Sequence, residues 1–527
     1  MQQIAAAGEP SRKVISASAA ANPAPRIQRI PGGFQMILAL YILFTGALPT
    51  IIQAFAFGIQ GGTGSEFAVA MITAMTRDVL LLAAVAVLAG NPLGILHPLL
   101  LAVVVWPLLV GMPNVIQDFG GWAGIIAGLP VRTPFLRGLP SHSASMVWTA
   151  TAKYSALQIL ALICTYAGFA LYKGRASLAR RAPSLPRVSS IRSVMLGLIA
   201  VSTIVLLIFV RSRGGIIEHL TSLGHGRFRE LGNAGAIMVI TDLGSIALYV
   251  WLAVRPGEIK SPFFLACAAV VIVAQFVSNA SRSSTLEVPL VLGLIWSIRT
   301  QKVPWKIALM LVPVLFVALG FLGAIRSSSW SGSTAAEAAV NTGWTESFKK
   351  ADAEIADRQS LNAQVPIVER GFQVTDGPLL GRSYIGAVLG VIPRSVWPDK
   401  PRGPDSLYAQ LFLHESKEGA AIPVSHEAEI YWNFGVAGVV LLSLLYGAMI
   451  RAAYNSFWRR YPSPFAIVFY VVFITTFQFS TTGIVAFEQS LGLLLICYLA
   501  AGFFTSRSRE PVARPLVRPA GIAIAPR

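Results

Sequence analysis

Apolar stretches of membrane-spanning length recur along most of this chain, separated by polar segments. A helix needs about 20 predominantly apolar residues to cross the hydrocarbon core of a bilayer. Such stretches lie near residues 34–57, 67–89, 93–112, 147–172, 191–210, 234–254, 262–280, 285–299, 305–325, 429–450, 464–482 and 485–505. The pattern predicts an all-α polytopic membrane protein with about twelve transmembrane helices. Two stretches depart from it, because the second contains Arg77 and Asp78 and the eighth is short, so a re-entrant segment at either would change the count.

Polar segments divide the chain into successive parts. These are a basic, Ala-, Pro- and Ser-rich tail at 1–33, helices 1–9 within 34–325 with an Arg-rich loop at 211–233, a large loop at 326–428, helices 10–12 within 429–505, and a basic tail at 506–527. We expect the first tail to be disordered. Within the large loop, residues 333–361 predict amphipathic helices. Gly and Pro punctuate residues 366–404, and the aromatic and apolar string YIGAVLGVIPRSVW at 384–397 predicts a short element at the lipid interface.

Composition agrees with a membrane protein and excludes an ordinary soluble domain. Hydrophobic residues make up 54% of the chain and charged residues only 13%, whereas about 25% of the residues of a soluble protein are charged. The three cysteines, Cys164, Cys267 and Cys497, all lie in apolar stretches. They therefore predict small buried side chains and neither a disulfide framework nor a metal site.

The placement of the basic residues predicts the orientation of the helices. Short loops rich in Lys and Arg stay in the cytoplasm, and the segment 173–192 has many basic residues and no acidic one. Alternation of twelve helices places this segment, the basic segments at 255–261, 299–306 and 451–460, and both termini on the cytoplasmic side. The net charge of +18 is thus mainly a topology signal, and a nucleic-acid partner loses its support.

The same alternation places the loops at 113–146, 211–233, 280–284 and 326–428 outside. Two of these, 211–233 and 326–428, carry several arginines, which the topology rule does not require there. The planar guanidinium grips phosphate oxygens with two hydrogen bonds at once, so the loops predict a clamp for a lipid diphosphate. The alternative is that each outer arginine pairs with one of the Asp or Glu residues in a solvated loop.

Ionisable residues also stand at predicted outer helix ends. Arg282 and Glu287 fall at membrane depth, where charged groups are costly and face partners or a cavity; a structural Arg282–Glu287 pair is the alternative reading. His426 and Glu429 are three residues apart, hence on one helical face, where both could act on a substrate hydroxyl as a general base. Acidic residues at this place, Glu427 among them, are equally typical of a helix N-terminal turn.

Three strings resemble those of a known family. IPRSVWPDKP at 392–401, EIYWNFGVAGVVLLSLLYG at 429–447 and SRSSTLEVPLVLGLI at 281–295 resemble segments of the Wzy-type O-antigen and exopolysaccharide repeat-unit polymerases. The resemblance covers roughly residues 190–505. It also includes the Arg-x10-Gly pattern of the two arginine-bearing loops, here Arg213 to Gly224 and Arg370 to Gly381.

The resemblance implies a GT-C-like glycosyltransferase of the bacterial inner membrane that uses no nucleotide sugar, cofactor or metal. A growing glycan on polyprenyl diphosphate would be transferred to the hydroxyl of a new lipid-linked repeat unit at the outer face. The implied partners are these lipid-linked oligosaccharides and membrane lipid, together with a chain-length regulator and a flippase. For this reaction we predict that the diphosphate is bound by Arg213, Arg282, Arg370, Arg382 and Arg394, with Arg211, Arg326 and Asp399 second in rank. We predict that His426 and Glu429 activate the acceptor hydroxyl, with Arg394 completing the catalytic set.

Other functions fit parts of the pattern. An O-antigen ligase or another lipid-linked glycan transferase would differ only in its acceptor. A transporter or flippase of lipid-linked glycans would show internal repeats and helices broken at mid-membrane in both halves, and no persuasive repeat is visible. A non-catalytic assembly protein would require no convergent charged groups.

Overall fold

The structure is a computed structural model that describes residues 36, 39–40, 64–89, 96–105, 144–172, 188–216, 218–220, 222, 235–279, 282–300, 302, 363–389, 397, 399–414, 422–460 and 463–504. Within these ranges the chain is helical and contains no strand. The main helices are α1 (Ser65–Ala89), α2 (Ala144–Leu171), α3 (Val188–Ser212), α4 (Gly235–Val254), α5 (Pro262–Asn279), α6 (Arg282–Thr300), α7 (Gln364–Val374), α8 (Arg382–Val388), α9 (Pro404–Phe412), α10 (His426–Arg460), α11 (Pro464–Thr476) and α12 (Thr481–Phe504). Short helical turns occupy Pro98–Leu100, Leu101–Val105 and Pro256–Lys260.

Six of the described helices, α1, α2, α3, α4, α10 and α12, are long and apolar enough to cross a membrane, and α5 and α11 are shorter apolar helices. For the described residues, the prediction of a helical protein with several helices of membrane-spanning length is therefore confirmed. The count of twelve stays a prediction, because the expected helices at 34–57 and 305–325 lie largely or wholly outside the described residues and half of that at 93–112 does. The two stretches that depart from the hydropathy pattern, 67–89 and 285–299, are both helical. The helix α1 runs unbroken through Arg77 and Asp78, and α6 continues past Pro289.

The helix α4 lies at the centre of the largest hydrophobic core. Its residues from 243 to 253 are buried, and Trp251 and Leu248 are fully enclosed. Around it pack α3, α5, α6, α11 and α12. Among the six long apolar helices α4 is the most buried, so it is the interior helix of this part of the bundle.

A second contact, between α2 and α10, depends on two glycines. A Cβ atom at Gly168 would collide with the backbone oxygen of Leu444, and one at Gly447 would collide with the backbone oxygen of Thr165. Small residues allow membrane helices to approach until their backbones touch, which increases van der Waals contact where no water-driven force acts. The two glycines thereby fix α10 against α2.

The helix α10 is not straight, although the sequence predicts one apolar span at 429–450. Gly435 has φ 65° and ψ −162°, a conformation outside the helical region. Ring centroids of His426 and Tyr446 lie 6.5 Å apart, whereas 20 residues of continuous helix would separate them by about 30 Å. We call His426–Phe434 the first arm and the remainder of α10 the second arm. The two arms fold back towards each other at Gly435.

A further break separates α11 from α12 and falls inside the predicted span 464–482. The 13 residues of α11 extend about 20 Å, which is less than the hydrocarbon thickness of about 30 Å. The connection from Phe477 to Ser480 is not helical. Non-helical backbone among membrane helices needs partners from the protein, and the Tyr384 hydroxyl supplies one by donating to the Phe479 oxygen at 2.8 Å.

Three short helices of the predicted outer loop, α7, α8 and α9, pack on or beside the first arm. The apolar face of α7 places Ile367 in a cluster with Tyr408 and Phe412 of α9 and with Trp432 of the first arm. The short element expected at 384–397 overlaps α8, whereas α7 was not expected. Its position at the lipid interface stays a prediction, and the helices expected at 333–361 lie outside the described residues.

Candidate functional site

The first arm of α10 is the element that the candidate site is built around. Its Trp432 is fully buried, and a Cβ at Gly371 of α7 would lie only 3.1 Å from the Trp432 Cδ1 atom. At its C-terminal end, the backbone oxygens of Trp432 and Asn433 accept the N–H groups of Leu379 and Leu380, each at 3.0 Å. The loop between α7 and α8 thus satisfies carbonyl groups that the end of a helix leaves without partners.

Glu429 joins the first arm to two other elements. Glu429 is buried, with only 1% of its surface exposed. One carboxylate oxygen accepts the Ser383 hydroxyl of α8 at 3.1 Å, and the other accepts the Thr481 backbone N–H at 2.9 Å. Since Thr481 begins α12, the carboxylate lies at the positive end of that helix dipole. The two carboxylate oxygens of Glu429 therefore link the first arm to α8 and to α12.

The start of α8 is fixed by Asn433. The Asn433 amide nitrogen donates to the Ser383 hydroxyl at 2.9 Å, and its oxygen accepts the Gly381 N–H at 3.1 Å. Gly381 has φ 82°, a left-handed conformation that costs other residues free energy because their Cβ meets the backbone. This geometry gives the glycine of the Arg370-to-Gly381 pattern a structural reason.

Two arginines predicted for the diphosphate adjoin the first arm. Arg370 precedes Gly371, which touches Trp432, and Arg382 follows Gly381, which binds Asn433. The Arg370 side chain is partly buried and that of Arg382 is exposed. Neither guanidinium has a hydrogen-bond or ion-pair partner among the described residues.

His426 and Glu427 form the other end of the first arm. The His426 Nε2 atom lies 3.3 Å from a Glu427 carboxylate oxygen, and both side chains remain partly exposed, by 27% and 14%. His426 therefore has the access that a general base needs, and Glu427 can orient its ring. Glu429, which the sequence placed on the same face, is instead enclosed. Whether either residue activates a hydroxyl stays a prediction.

Asp405 is a neighbour that sequence reasoning passed over. It lies in the first turn of α9, and its carboxylate accepts the Val424 N–H at 3.1 Å, just before the first arm begins. Burial raises the pKa of the Asp405 carboxyl from 3.8 to about 6, although the hydrogen bond from Val424 opposes this shift. Only the tertiary structure buries this residue, so no local signal distinguishes it from the other acidic residues of the loop.

A polar chain between α1, α2 and the first arm was also missed. It contains Arg77, Gln158, Tyr154 and Ser425, joined by successive hydrogen bonds. Its one sequence signal is the Arg77–Asp78 pair, two charged residues inside an apolar stretch.

The remaining predicted residues lie elsewhere or outside the described ranges. Arg211 is exposed at the end of α3, and the Arg213 guanidinium lies over the Phe209 ring at 5.3 Å. Arg282 begins α6, and Asp399 is exposed. Arg326 and Arg394 lie outside the described residues. Of the predicted set, the described structure gathers Arg370, Arg382, His426 and Glu429 around one arm.

Glu287, which the sequence could pair with Arg282, has Asp242 as a described neighbour. The charge of Asp242 in α4 acts on Glu287 in α6, and Asp242 accepts a hydrogen bond from Gln275 of α5 at 2.9 Å. The alternative of an Arg282–Glu287 pair stays untested, because the Arg282 side chain is not among those described.

Metal-ligating side chains do not converge in the described part of the chain, where no group of three or more His, Cys, Asp or Glu residues is placed to hold an ion. Comparisons of the chain with protein-family models, with curated proteins and with solved structures return no match, so the likeness to the Wzy-type polymerases rests on the sequence features given above.

Proposed function

We propose that this protein is a membrane glycosyltransferase that polymerises polyprenyl-diphosphate-linked oligosaccharide repeat units at the outer face of a bacterial inner membrane. The observation that best supports the proposal is that Arg370 and Arg382, which have no described ion-pair partner, both adjoin the arm that carries His426. Residues on or beside the first arm could thus bind the anionic leaving group, through the two arginines, and accept the proton of the acceptor hydroxyl, through His426.

The reaction needs stabilisation of charge on a departing diphosphate. As the bond between the anomeric carbon of the donor glycan and the diphosphate oxygen breaks, the electron pair stays on that oxygen. Arginines aimed at the diphosphate bind this charge more strongly in the transition state than in the ground state, and so increase the rate. In the proposal Arg370 and Arg382 make these contacts, whereas Arg213, Arg282 and Arg394 stay candidates from the sequence alone.

The acceptor hydroxyl must lose a proton as it attacks. Its oxygen forms the new bond to the anomeric carbon, and we assign the departing proton to His426, which Glu427 orients. Glu429 then has a positioning role, because its oxygens already bind Ser383 and the start of α12. The group transfer is balanced, with one glycosidic bond formed and one glycosyl–phosphate bond broken.

The chief alternative is a transporter of lipid-linked glycans. The breaks at Gly435 and at Phe477 to Ser480 favour it, because discontinuous helices form the substrate sites of many transporters. Both breaks, however, lie in the C-terminal part of the chain, and the two-halves arrangement typical of transporters is not evident in the described residues.

Reconstitution separates the two functions. Purified protein in liposomes that contain a lipid-linked repeat unit should produce a ladder of longer lipid-linked glycans, and His426→Ala should produce none. A wild-type protein that leaves the repeat unit unchanged, yet moves it between bilayer leaflets, would exclude the polymerase and support the transporter.

A further inference from the structure

Four polar side chains connect the middle of α1 to the beginning of the first arm. Arg77 Nη1 donates to Gln158 Oε1 at 3.1 Å, Gln158 Nε2 donates to the Tyr154 hydroxyl at 3.1 Å, and that hydroxyl donates to Ser425 Oγ at 3.0 Å. The chain thus joins three parts of the protein that are far apart in sequence. It ends at the residue that precedes His426.

Ser425 is the residue through which this chain reaches the arm. Its Oγ accepts the Ala428 N–H at 3.3 Å, and its backbone oxygen accepts the Glu429 N–H at 2.9 Å. This is the bonding of an N-cap residue, which sets where a helix begins and in which direction it runs. A residue that fixes Ser425 therefore also fixes the orientation of His426 and Glu427.

Tyr154 is well placed to fix Ser425. Its ring packs against three separate hydrophobic clusters, which contain Ile367 of α7, Val365 of α7 and Leu157 of α2. With the ring held in this way, the hydroxyl has little freedom. The charges of Arg77 and Glu427 both act on Tyr154, so it stands between the Arg77 end of the chain and the His426–Glu427 pair.

The polar side chains at the Arg77 end of this hydrogen-bond chain lie in an apolar helix, where burying them costs free energy. Arg77 and Asp78 form an ion pair at 2.8 Å inside α1, a helix otherwise apolar enough to span a membrane, and one Asp78 carboxylate oxygen is buried without a described hydrogen-bond partner. Ionisable groups among membrane helices are typically retained for function. An N-cap alone would need only Ser425.

From this geometry we propose that Tyr154 is a positioning residue for the start of the first arm, which carries His426. The Tyr154 hydroxyl fixes Ser425, and Gln158, itself bound by Arg77, fixes the Tyr154 hydroxyl. The inference about the arm's position stands on the hydrogen bonds, and only its catalytic consequence rests on the proposed function. Removal of the Tyr154 hydroxyl should loosen the start of the first arm while leaving the rest of α10 in place.

Hydrogen exchange of the purified full-length protein tests the structural part. In Tyr154→Phe, amides of residues 426–434 should exchange about tenfold faster than in wild type, the effect of losing one hydrogen bond that closes the arm. Tyr166→Phe is the matched control, because Tyr166 lies on the same helix and its buried hydroxyl has no described partner. Equal exchange of this segment in both variants would overturn the inference.

Two further variants keep the test decisive if Tyr154→Phe does not fold. Gln158→Ala removes the bond that orients the Tyr154 hydroxyl and should raise exchange of the same amides by a smaller factor, of about threefold. Ser425→Ala already removes the N-cap. Adding Gln158→Ala to it should therefore not raise the exchange rate of these amides any further. Fully independent effects of the two substitutions would contradict transmission through Ser425.

The polymerisation assay tests the catalytic part. Tyr154→Phe should lower the turnover at saturating lipid-linked substrate about tenfold and leave the KM nearly unchanged, because the arginines that bind diphosphate are not touched. A raised KM with normal turnover would argue against positioning of His426. If wild-type protein does not polymerise at all, the proposed function fails, while the exchange result still decides the role of Tyr154.

Discussion

The rings of His426 and Tyr446 lie with their centroids 6.5 Å apart, although 20 residues of apparently continuous apolar helix separate them. This contact exists because Gly435 reverses the chain, and it places the first arm beside the second arm. The reversal also brings Glu429 to the start of α12 and the end of the arm to the loop before α8. The candidate site is therefore a consequence of one glycine conformation.

Cysteine cross-linking tests the reversal directly. In a background without the native cysteines, His426→Cys with Tyr446→Cys should be joined by a short bifunctional thiol reagent. The matched pair Val436→Cys with Ser456→Cys has the same spacing within the second arm, where about 30 Å separates the positions, and should not be joined. A cross-link in neither pair would mean that α10 is straight.

Gly435 should not tolerate a side chain. Its φ of 65° and ψ of −162° fall in a region that is essentially restricted to glycine. Gly435→Ala should lower the free energy of unfolding by about 1–3 kcal/mol, seen as a lower melting temperature in detergent. Gly492→Ala in α12, where no atom lies near the added Cβ, should be neutral or slightly stabilising. Equal stability of the two variants would contradict the described backbone.

The carboxylate of Glu429 should contribute strongly to stability. Glu429→Ala leaves the buried Thr481 N–H without its acceptor. It also removes one of the two acceptors of the Ser383 hydroxyl, which keeps Asn433 Oδ1 at 3.2 Å. The substitution should cost about 2–4 kcal/mol. Glu488→Gln in α12 is the control and should change stability by less than about 0.5 kcal/mol, because Glu488 has no described hydrogen bond. A Glu429→Ala variant as stable as this control would show that the residue is free for chemistry.

Much of the helical layout could be predicted, because membrane-spanning helices leave a long and strong hydropathy signal. The bounds of α2, α3 and α4 fall within a few residues of those expected. The breaks could not be predicted, since hydropathy is averaged over windows longer than Phe477 to Ser480, and Gly435 stands in an apolar run like many other glycines.

Prediction of the site was limited for a different reason. The spacing of His426 and Glu429 correctly placed them on one arm, but only the packing of α8 and α12 shows that Glu429 is enclosed. Tyr154 and Gln158 gave no signal, because two neutral polar side chains within α2 do not interrupt its apolar pattern. Their importance arises from the distant partners Arg77 and Ser425.

Arg382 should be required for polymerisation, and its planar charge should matter. Arg382→Ala should lower kcat/KM by about 10- to 100-fold, the loss of one or two charge-assisted bonds to phosphate. Arg382→Lys should recover only part of this loss, because lysine offers a point charge and no fork. Arg402→Ala is the control, since this exposed arginine of the same region already donates to Gln410 at 3.0 Å. A fully active Arg382→Ala variant would remove Arg382 from the diphosphate site.

Asp405 should make stability depend on pH in a direction opposite to that of most carboxylates. Because burial raises its pKa to about 6 in the folded protein, the unfolded chain releases this proton first, at a pH near 3.8. Between these values the unfolded state binds fewer protons, so the contribution of Asp405 to stability falls as the pH rises, and it is constant above about pH 7.

Asp405→Asn should remove this pH dependence while keeping an oxygen that accepts the Val424 N–H. Relative to wild type, the variant should gain about 1–3 kcal/mol between pH 4 and pH 7, the upper value being reduced by the partial exposure of the side chain. Melting temperatures of both proteins across this range measure the difference. Asp399→Asn, an exposed acid of the same segment, is the control and should follow the wild-type curve. If Asp405→Asn also followed it, Asp405 would ionise as readily in the folded protein as in the unfolded chain, and burial would not raise its pKa.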